Sequence, residues 1–164
     1  MTHPTFDAVS AILSYNPETG HICWKITRGR RIAGNVAGWR DKDGRVEIGF
    51  DGHTYHAAQL AWLLFYGEWP SSIVDHADGD PSNDRIANLR LATQRQNLGN
   101  SRRPRHNKSG VKGVHWHAQN KKWVAQISVY NKSRHLGSFE RIEDAAAAYR
   151  SAAIAQFGEF ARLD

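Results

Sequence analysis

The chain has 164 residues, of which 40% are hydrophobic, and this length allows one or two small folded domains. A single cysteine, Cys23, excludes an intramolecular disulfide and a cysteine-clustered zinc site. No apolar run approaches the roughly 20 residues of a membrane span, and the N-terminal residues lack the pattern of a signal peptide. We therefore expect a soluble, cytoplasmic protein.

The positive charge is concentrated in one part of the chain. The formal net charge is +6, yet residues 85–139 contain twelve Lys and Arg and no Asp or Glu, which leaves ten basic and sixteen acidic residues elsewhere. A solvated basic face would explain a short run of this kind. An acid-free block of 55 residues, interleaved with aromatics, favours nucleic-acid binding.

Short elements are predicted in the N-terminal part of the chain. Thr5 is placed to cap a short helix with an apolar face that runs to Leu13, and turn residues at 16–20 end it. Residues 21–27 favour a strand. The basic loop at 28–31 fits a solvated turn and a phosphate contact equally well.

Two Asp-Gly pairs predict an antiparallel meander. Asp43-Gly44 and Asp51-Gly52 flank the strand-like residues 45–50, so two tight turns would join three strands. Residues 59–66 are dense in large apolar side chains, as in a buried helix, and Gly67 ends that helix.

The stretch from Val74 to Asn97 combines polar and apolar signals. Asp75 and His76 leave the end of a short strand, and a loop rich in Asp, Asn and Gly follows. A second short strand ends near Leu91. Thr93 and Gln96 have the spacing of a capping box, which opens a helix with Asn97 about one turn inside it. The predicted order is strand, long loop, strand, helix.

Three side chains of this stretch predict hydrolytic chemistry. The Asp75 carboxylate and the Asn97 amide are oxygen donors suited to a hard ion, Mg²⁺ or Mn²⁺, that keeps waters and a phosphate in its shell. His76 carries the side chain best suited to accept a proton from water near neutral pH.

Asp75-His76, Asn88 and Asn97, framed by DHADGD, NLR and QNLGN, resemble the HNH homing endonucleases of phages and introns, in the subtype whose last His is Asn. The resemblance implies a ββα-metal fold and a bacterial or phage-infected host. It implies His76 as general base, Asp75 and Asn97 as metal ligands, and Asn88 as the residue that braces the loop and orients His76. In that family a meander and helix precede the unit with features found here at Tyr55, His56, Ala57, Leu60, Ala61, Trp62, Gly67, Trp69 and Pro70.

The remaining chain predicts a linker and a second domain. Residues 101–110 are rich in Gly, Ser, Pro and Asn and hold four basic candidates for phosphate contact, Arg102, Arg103, Arg105 and Lys108. Strand-like runs follow at 111–117, 123–129 and 133–139. An alanine-rich helix from Ile142 is closed by Gly158.

This tail is similar to the Apetala-type, or ethylene-response-factor, DNA-binding domain of plants. The matching segments are Lys112-Gly113-Val114, Lys122-Trp123-Val124-Ala125, Leu136-Gly137-Ser138-Phe139 and Glu143-Asp144-Ala145-Ala146 with Ala148-Tyr149. The resemblance implies a three-stranded sheet that places the face away from its helix in the major groove of DNA.

Period-two alternation assigns that face from the residues alone. The polar side chains predicted to share it are His115, His117, Gln126, Ser128 and His135, with Lys112, Lys132 and Arg134 at its margin. Plant members carry arginines on this face, so their base preference does not transfer. Trp116 and Trp123 are expected to pack under the sheet rather than stack on bases, and the His115-x-His117 pair lacks the Cys or acidic partners of a metal site.

Together these features predict an α+β protein with three parts. An HNH nuclease domain spans residues 1–100, with its ββα-metal core at about 72–100, a basic linker spans 101–110 and an Apetala-type domain spans 111–164. The predicted activity is metal-dependent cleavage of double-stranded DNA by a monomer or weak dimer. A non-catalytic DNA-binding regulator on a nuclease scaffold is the alternative, and an RNA-binding module is a weaker third.

Overall fold

The computed structural model describes residues 3–104, 106–129 and 132–163. The helices are α1 (Phe6–Ser10), α2 (Ala57–Tyr66), α3 (Gln94–Asn100) and α4 (Ile142–Phe157). The strands are β1 (Leu13–Tyr15), β2 (Ile22–Trp24), β3 (Trp39–Arg40), β4 (Val46–Phe50), β5 (His53–His56), β6 (Ile73–His76), β7 (Leu89–Ala92), β8 (Val114–His117), β9 (Lys122–Val129) and β10 (Lys132–Phe139). None of the helices in these residues is long and apolar enough to cross a membrane.

The strands form small antiparallel sheets in the orders β1-β2, β3-β4-β5, β6-β7 and β10-β9-β8. This mixture of helices and small sheets is the predicted α+β class. The chain divides into an N-terminal and a C-terminal compact unit between Ala92 and Thr93. The division precedes α3, whereas the sequence placed the domain boundary after that helix.

The N-terminal unit begins with a capped turn of helix. The Thr5 hydroxyl accepts a hydrogen bond from Ala8 N at 3.3 Å, as the sequence predicted. The predicted extension of this helix to Leu13 is wrong, because α1 ends at Ser10 and Leu13 opens β1 opposite Trp24. Pairing with β2 satisfies the backbone there and buries the Leu13 side chain, which outweighs the helical spacing of the apolar residues.

The predicted meander and helix are present. Asp51 and Gly52 join β4 to β5 as a two-residue turn between the paired residues Phe50 and His53. Helix α2 follows directly and ends at Gly67, whose N–H donates to Leu63 O at 2.8 Å. The core of the unit consists of Val9, Leu13, Ile22, Trp24, Ala37, Ile48, Phe50, Ala57, Ala58, Leu60, Ala61, Leu63 and Leu89.

Strands β6 and β7 form a two-stranded hairpin with a long loop. Its register pairs Val74 with Leu91, Asp75 with Arg90 and His76 with Leu89. Leu89 anchors the hairpin in the core of the unit. The loop ends in a single 3-10 turn at Ile86–Asn88. The predicted second strand therefore begins only at Leu89, as β7.

The C-terminal unit packs one helix on a three-stranded sheet, as predicted. Small side chains of α4 are buried, which lets the helix approach the sheet closely, and the buried residues are Ala145, Ala146, Tyr149, Ala152, Ala153 and Phe157. On the sheet, Val114, Ala125 and Ile127 are buried. Burial of the Tyr149 hydroxyl raises its pKa to about 12.

Helix α3 belongs to this C-terminal unit. It has the predicted capping box, in which Thr93 and Gln96 exchange side-chain and backbone hydrogen bonds. Gly99 lies so close to α4 that an added Cβ would stand 2.6 Å from Phe157 Cγ. Arg95 Nη2 also donates to Gln156 O at 3.1 Å. Contacts to α4 thus hold a helix of two turns that would be marginal alone.

Gly99→Ala should therefore destabilise the C-terminal unit. Overpacking against Phe157 costs about 1–3 kcal/mol, which exceeds the gain of about 1 kcal/mol from replacing a helical glycine. Gly49→Ala is the matched control, because its Cβ would meet only Trp39 side-chain atoms at 3.8 and 3.9 Å. Thermal unfolding of both variants gives the comparison, and a Gly99→Ala protein as stable as wild type would contradict the close packing.

Candidate active site

Asp75 and His76 stand side by side at the end of β6. Asp75 is 6% exposed, and its Oδ2 accepts a hydrogen bond from Arg90 Nε at 2.9 Å. The β6-β7 register creates this contact, because it places Asp75 directly opposite Arg90. The charge of a nearly buried carboxylate is thereby balanced by a guanidinium on the facing strand.

The imidazole of His76 contacts a second carboxylate. Its Nε2 lies 2.8 Å from Asp84 Oδ1, and the two side chains are 14% and 4% exposed. Asp84 is not among the site residues predicted from the sequence. Its only signal there was an acidic residue at the end of the polar loop, and nothing local showed that the loop folds back onto β6.

The side chain of Asn88 closes the loop between β6 and β7. Its Nδ2 donates to Asp78 Oδ1 at 3.0 Å and to Asn83 O at 2.8 Å, while its Oδ1 accepts from Asp78 N at 3.0 Å. Its backbone carbonyl accepts from Ala77 N at 2.9 Å. These bonds tie the first residues of the loop to the last.

Asp78 is the centre of the polar network inside this loop. Its carboxylate accepts from Asn83 Nδ2 at 2.6 Å, from Asp80 N at 2.8 Å and from Asn88 Nδ2. Partial burial would raise the pKa of Asp78, but these hydrogen bonds, with His76 nearby, outweigh it and lower that pKa. The ionised carboxylate is the form that holds the loop.

The turn between β1 and β2 supports the segment that carries Asp84. Tyr15 Oη donates to Asp84 O at 2.7 Å, and Ile86 N donates to Pro17 O at 3.2 Å. Gly20 has φ +77°, and a Cβ there would lie 2.6 Å from Arg85 N. Burial, and then the charge of Asp84, raise the pKa of Tyr15, so its hydroxyl stays a donor at neutral pH.

The predicted metal ligands fall in different units. Asp75 is in the N-terminal unit, and Asn97 is an exposed residue of α3 whose N–H donates to Thr93 O at 3.0 Å. Among the described residues, no three or more His, Cys, Asp or Glu side chains are grouped so that they could hold a metal ion. The predicted metal ligands, Asp75 and Asn97, are a different kind of site, because Asn97 would bind the ion through an amide oxygen.

The predicted DNA-reading face has a consistent register. Cross-strand partners project from the same side of a sheet. Alternate residues of β9 share one side of the sheet, so Lys122, Val124, Gln126 and Ser128 point the same way. Their partners on the neighbouring strands include His117, His115 and His135. The five predicted polar residues, His115, His117, Gln126, Ser128 and His135, therefore share one face, and all are exposed except the half-buried His117.

Lys112, predicted at the margin of the DNA-reading face, is buried in the C-terminal unit. The residue is 9% exposed, and its Nζ donates to Gly99 O at 2.8 Å and to Ser101 O. The carbonyls at the end of α3 lack partners within the helix, and the buried ammonium supplies one. Sequence periodicity could not reveal this partner.

The other predicted basic contacts are exposed where they are described. Arg102 and Lys108 are exposed, and the exposed Arg103 donates from Nη1 to Asn107 O at 3.1 Å. Arg105 lies outside the described residues. Lys132 and Arg134 are exposed, but they pair with Val129 and Ile127 and so extend from the opposite side of the sheet to Gln126.

Trp116 lies on the side of the sheet that carries the buried Val114 and Ala125, yet much of its side chain is exposed. It is 47% exposed, and its ring meets the half-buried Trp123 edge to face with 5.1 Å between centroids. The register pairs the two residues directly across β8 and β9.

The stretch that contains Asp75, His76 and Asn88 matches a known family. Residues 55–98 match the family model described as HNH endonuclease. The chain is 36% identical over 103 residues to Protein 3.8 of Escherichia phage T7, a match that covers 62% of this chain and 84% of that protein. The chain therefore carries an HNH endonuclease domain and belongs to the same family as Protein 3.8. A solved structure of the HNH homing endonuclease I-HmuI, from work on its DNA binding and cleavage, matches 61% of this chain at 25% identity, with a TM-score of 0.43. The chain spans 57% of the length of that protein.

The lowered pKa of Asp78 predicts a pH-dependent contribution to stability. A carboxylate with a lowered folded-state pKa stabilises the fold above its unfolded pKa of about 3.9, and this contribution is lost as pH falls through the folded value. The free energy of unfolding should therefore differ most between wild type and Asp78→Ala near neutral pH, and the difference should shrink in acid. Urea unfolding of both proteins, from neutral pH into acid, measures this difference in the free energy of unfolding. A difference that does not change with pH would contradict the lowered pKa of Asp78.

Proposed function

We propose that this protein is a metal-dependent DNA endonuclease of the HNH homing type, which hydrolyses phosphodiesters of double-stranded DNA at a recognised site. The observation that carries the proposal is the position of Asp75 and His76 as adjacent residues at the end of β6, before a loop closed by Asn88. These residues lie within the stretch that matches the family model. In the proposal β6, β7 and α3 form the ββα-metal core.

Asp75 and Asn97 would hold the metal ion. A carboxylate oxygen and an amide oxygen suit a hard cation that completes its shell with water and phosphate, which favours Mg²⁺ or Mn²⁺. Arg90 donates a hydrogen bond to Oδ2 of Asp75, and this bond is compatible with metal binding by Asp75 through one carboxylate oxygen. When bound, the ion stabilises the negative charge that develops on the leaving 3′-oxygen.

His76 would act as general base. Its imidazole accepts a proton from the attacking water, whose oxygen bonds to phosphorus as the bond to the 3′-oxygen breaks. The leaving oxygen takes its proton from solvent. Asn88 would keep the loop, and with it the His76 ring, in the arrangement that this transfer needs.

The tail after residue 110 would deliver the nuclease core to its DNA. Its three-stranded sheet and helix α4 are consistent with the Apetala-type resemblance, and the exposed face of His115, Gln126, Ser128 and His135 is the surface that would enter the major groove. Arg102, Arg103, Arg105 and Lys108 would contact phosphates with salt-sensitive, sequence-independent affinity. A monomer or weak dimer is the expected form on DNA.

His76→Ala should strongly slow cleavage while leaving DNA binding intact. Loss of a general base lowers the rate by about 10²- to 10⁴-fold. We would incubate supercoiled DNA that carries the cognate site with Mg²⁺ or Mn²⁺, resolve each strand on a denaturing gel and measure binding by gel shift. A protein that binds duplex DNA but never cuts it, with or without His76, would instead be a DNA-binding regulator.

Changes on the sheet face and in the linker should have different effects on DNA affinity. Gln126→Ala should reduce discrimination between sites by about 1–3 kcal/mol if it contacts a base edge. Lys108→Ala should weaken all duplexes equally and reduce the slope of log affinity against log salt by about 1. Asn120→Ala, an exposed change in the turn between β8 and β9, is the control. Equal preference for RNA in competition would count against a duplex-DNA reader.

A further inference from the structure

We propose that Asp84 is a positioning residue for His76. Its carboxylate accepts the hydrogen on Nε2 and thereby fixes both the tautomer and the orientation of the imidazole. The consequence for catalysis rests on the proposed nuclease function, whereas the hydrogen bond itself does not.

The chemistry of the two groups sets the direction of this bond. A carboxylate anion only accepts hydrogen bonds, so the 2.8 Å contact between Nε2 and Asp84 Oδ1 favours the tautomer with its hydrogen on Nε2. A neutral imidazole has one N–H, and its lone pair is then on Nδ1. Asp84 thus makes Nδ1 the basic atom of His76.

Burial makes the contact a strong restraint on the ring. The Asp84 side chain is 4% exposed and that of His76 is 14% exposed, so water competes weakly for either group. A charge-assisted hydrogen bond in such surroundings holds the ring better than rotamer preference alone. The carboxylate acts through His76 and is not assigned a contact with the substrate.

The protein fixes Asp84 from a distant part of the chain. Tyr15 Oη donates to the backbone carbonyl of Asp84 itself, and Ile86 N donates to Pro17 O. Gly20 lets the β1-β2 turn lie against Arg85 N and Asp84 C, positions where a Cβ would stand 2.6 and 2.7 Å away. These contacts fix the backbone that presents the Asp84 carboxylate to His76.

The test combines NMR of His76 with cleavage kinetics. In wild type, ¹H–¹⁵N correlations, assigned by comparison with His76→Ala, should show the hydrogen on Nε2. Asp84→Ala should give a mixed tautomer and a kcat about 10- to 100-fold lower, with KM and duplex affinity unchanged. Asp84→Asn keeps an acceptor oxygen, so it should retain the Nε2–H tautomer and recover part of kcat. Tyr15→Phe removes only the support of the Asp84 carbonyl and should lower kcat by less.

Asp43→Asn is the matched control, because Asp43 is exposed and pairs with Arg45 at 3.5 Å. It should change neither the tautomer nor kcat. A wild-type His76 with its hydrogen on Nδ1 would overturn the proposal, as would an Asp84→Ala protein with unchanged tautomer and kcat. If wild type binds DNA without cutting it, the nuclease function fails, while the tautomer measurement still decides the role of Asp84.

Discussion

The hydrogen bonds of the Asn88 side chain hold a loop that no sheet supports. Between β6 and β7 the backbone must find its partners within the loop or in water, and Asn88 joins Asp78 at one end to Asn83 near the other. Asp78 in turn caps the local turn through Asp80 N. The loop is thus ordered by polar side chains, and the position of His76 before it depends on that order.

The candidate site is also built from parts that are far apart in the chain. Tyr15 and the turn at Gly20 belong to the first hairpin, yet they fix the segment that presents Asp84 to His76. A polar loop with the same residues but without this hairpin would have the right composition and the wrong geometry. The meander, α2 and Leu89 provide the apolar base on which these parts meet.

Local rules predicted much of this structure. The capping box at Thr93, the turn at Asp51-Gly52 and the alanine-rich α4 follow from neighbouring residues, and period-two alternation placed Gln126 and His135 on one face. Contacts distant in sequence were beyond such rules. They include the Asp84 carboxylate on His76, the capture of Lys112 by backbone carbonyls, and the pairing that turned Leu13 into a strand. The role of Asn88 in bracing the loop was predicted from the family resemblance alone, since an asparagine in a loop can form many different hydrogen bonds.

The packing of α3 on α4 has a consequence for how such proteins exchange parts in evolution. The helix that contains Asn97 is stabilised by Phe157 and Gln156, which lie about sixty positions further along the chain. A recombination that replaced the tail after residue 100 would leave this helix without its packing surface. Functional hybrids should therefore inherit α3 together with the tail, with the crossover before Thr93, even though family resemblance groups the helix with the preceding strands.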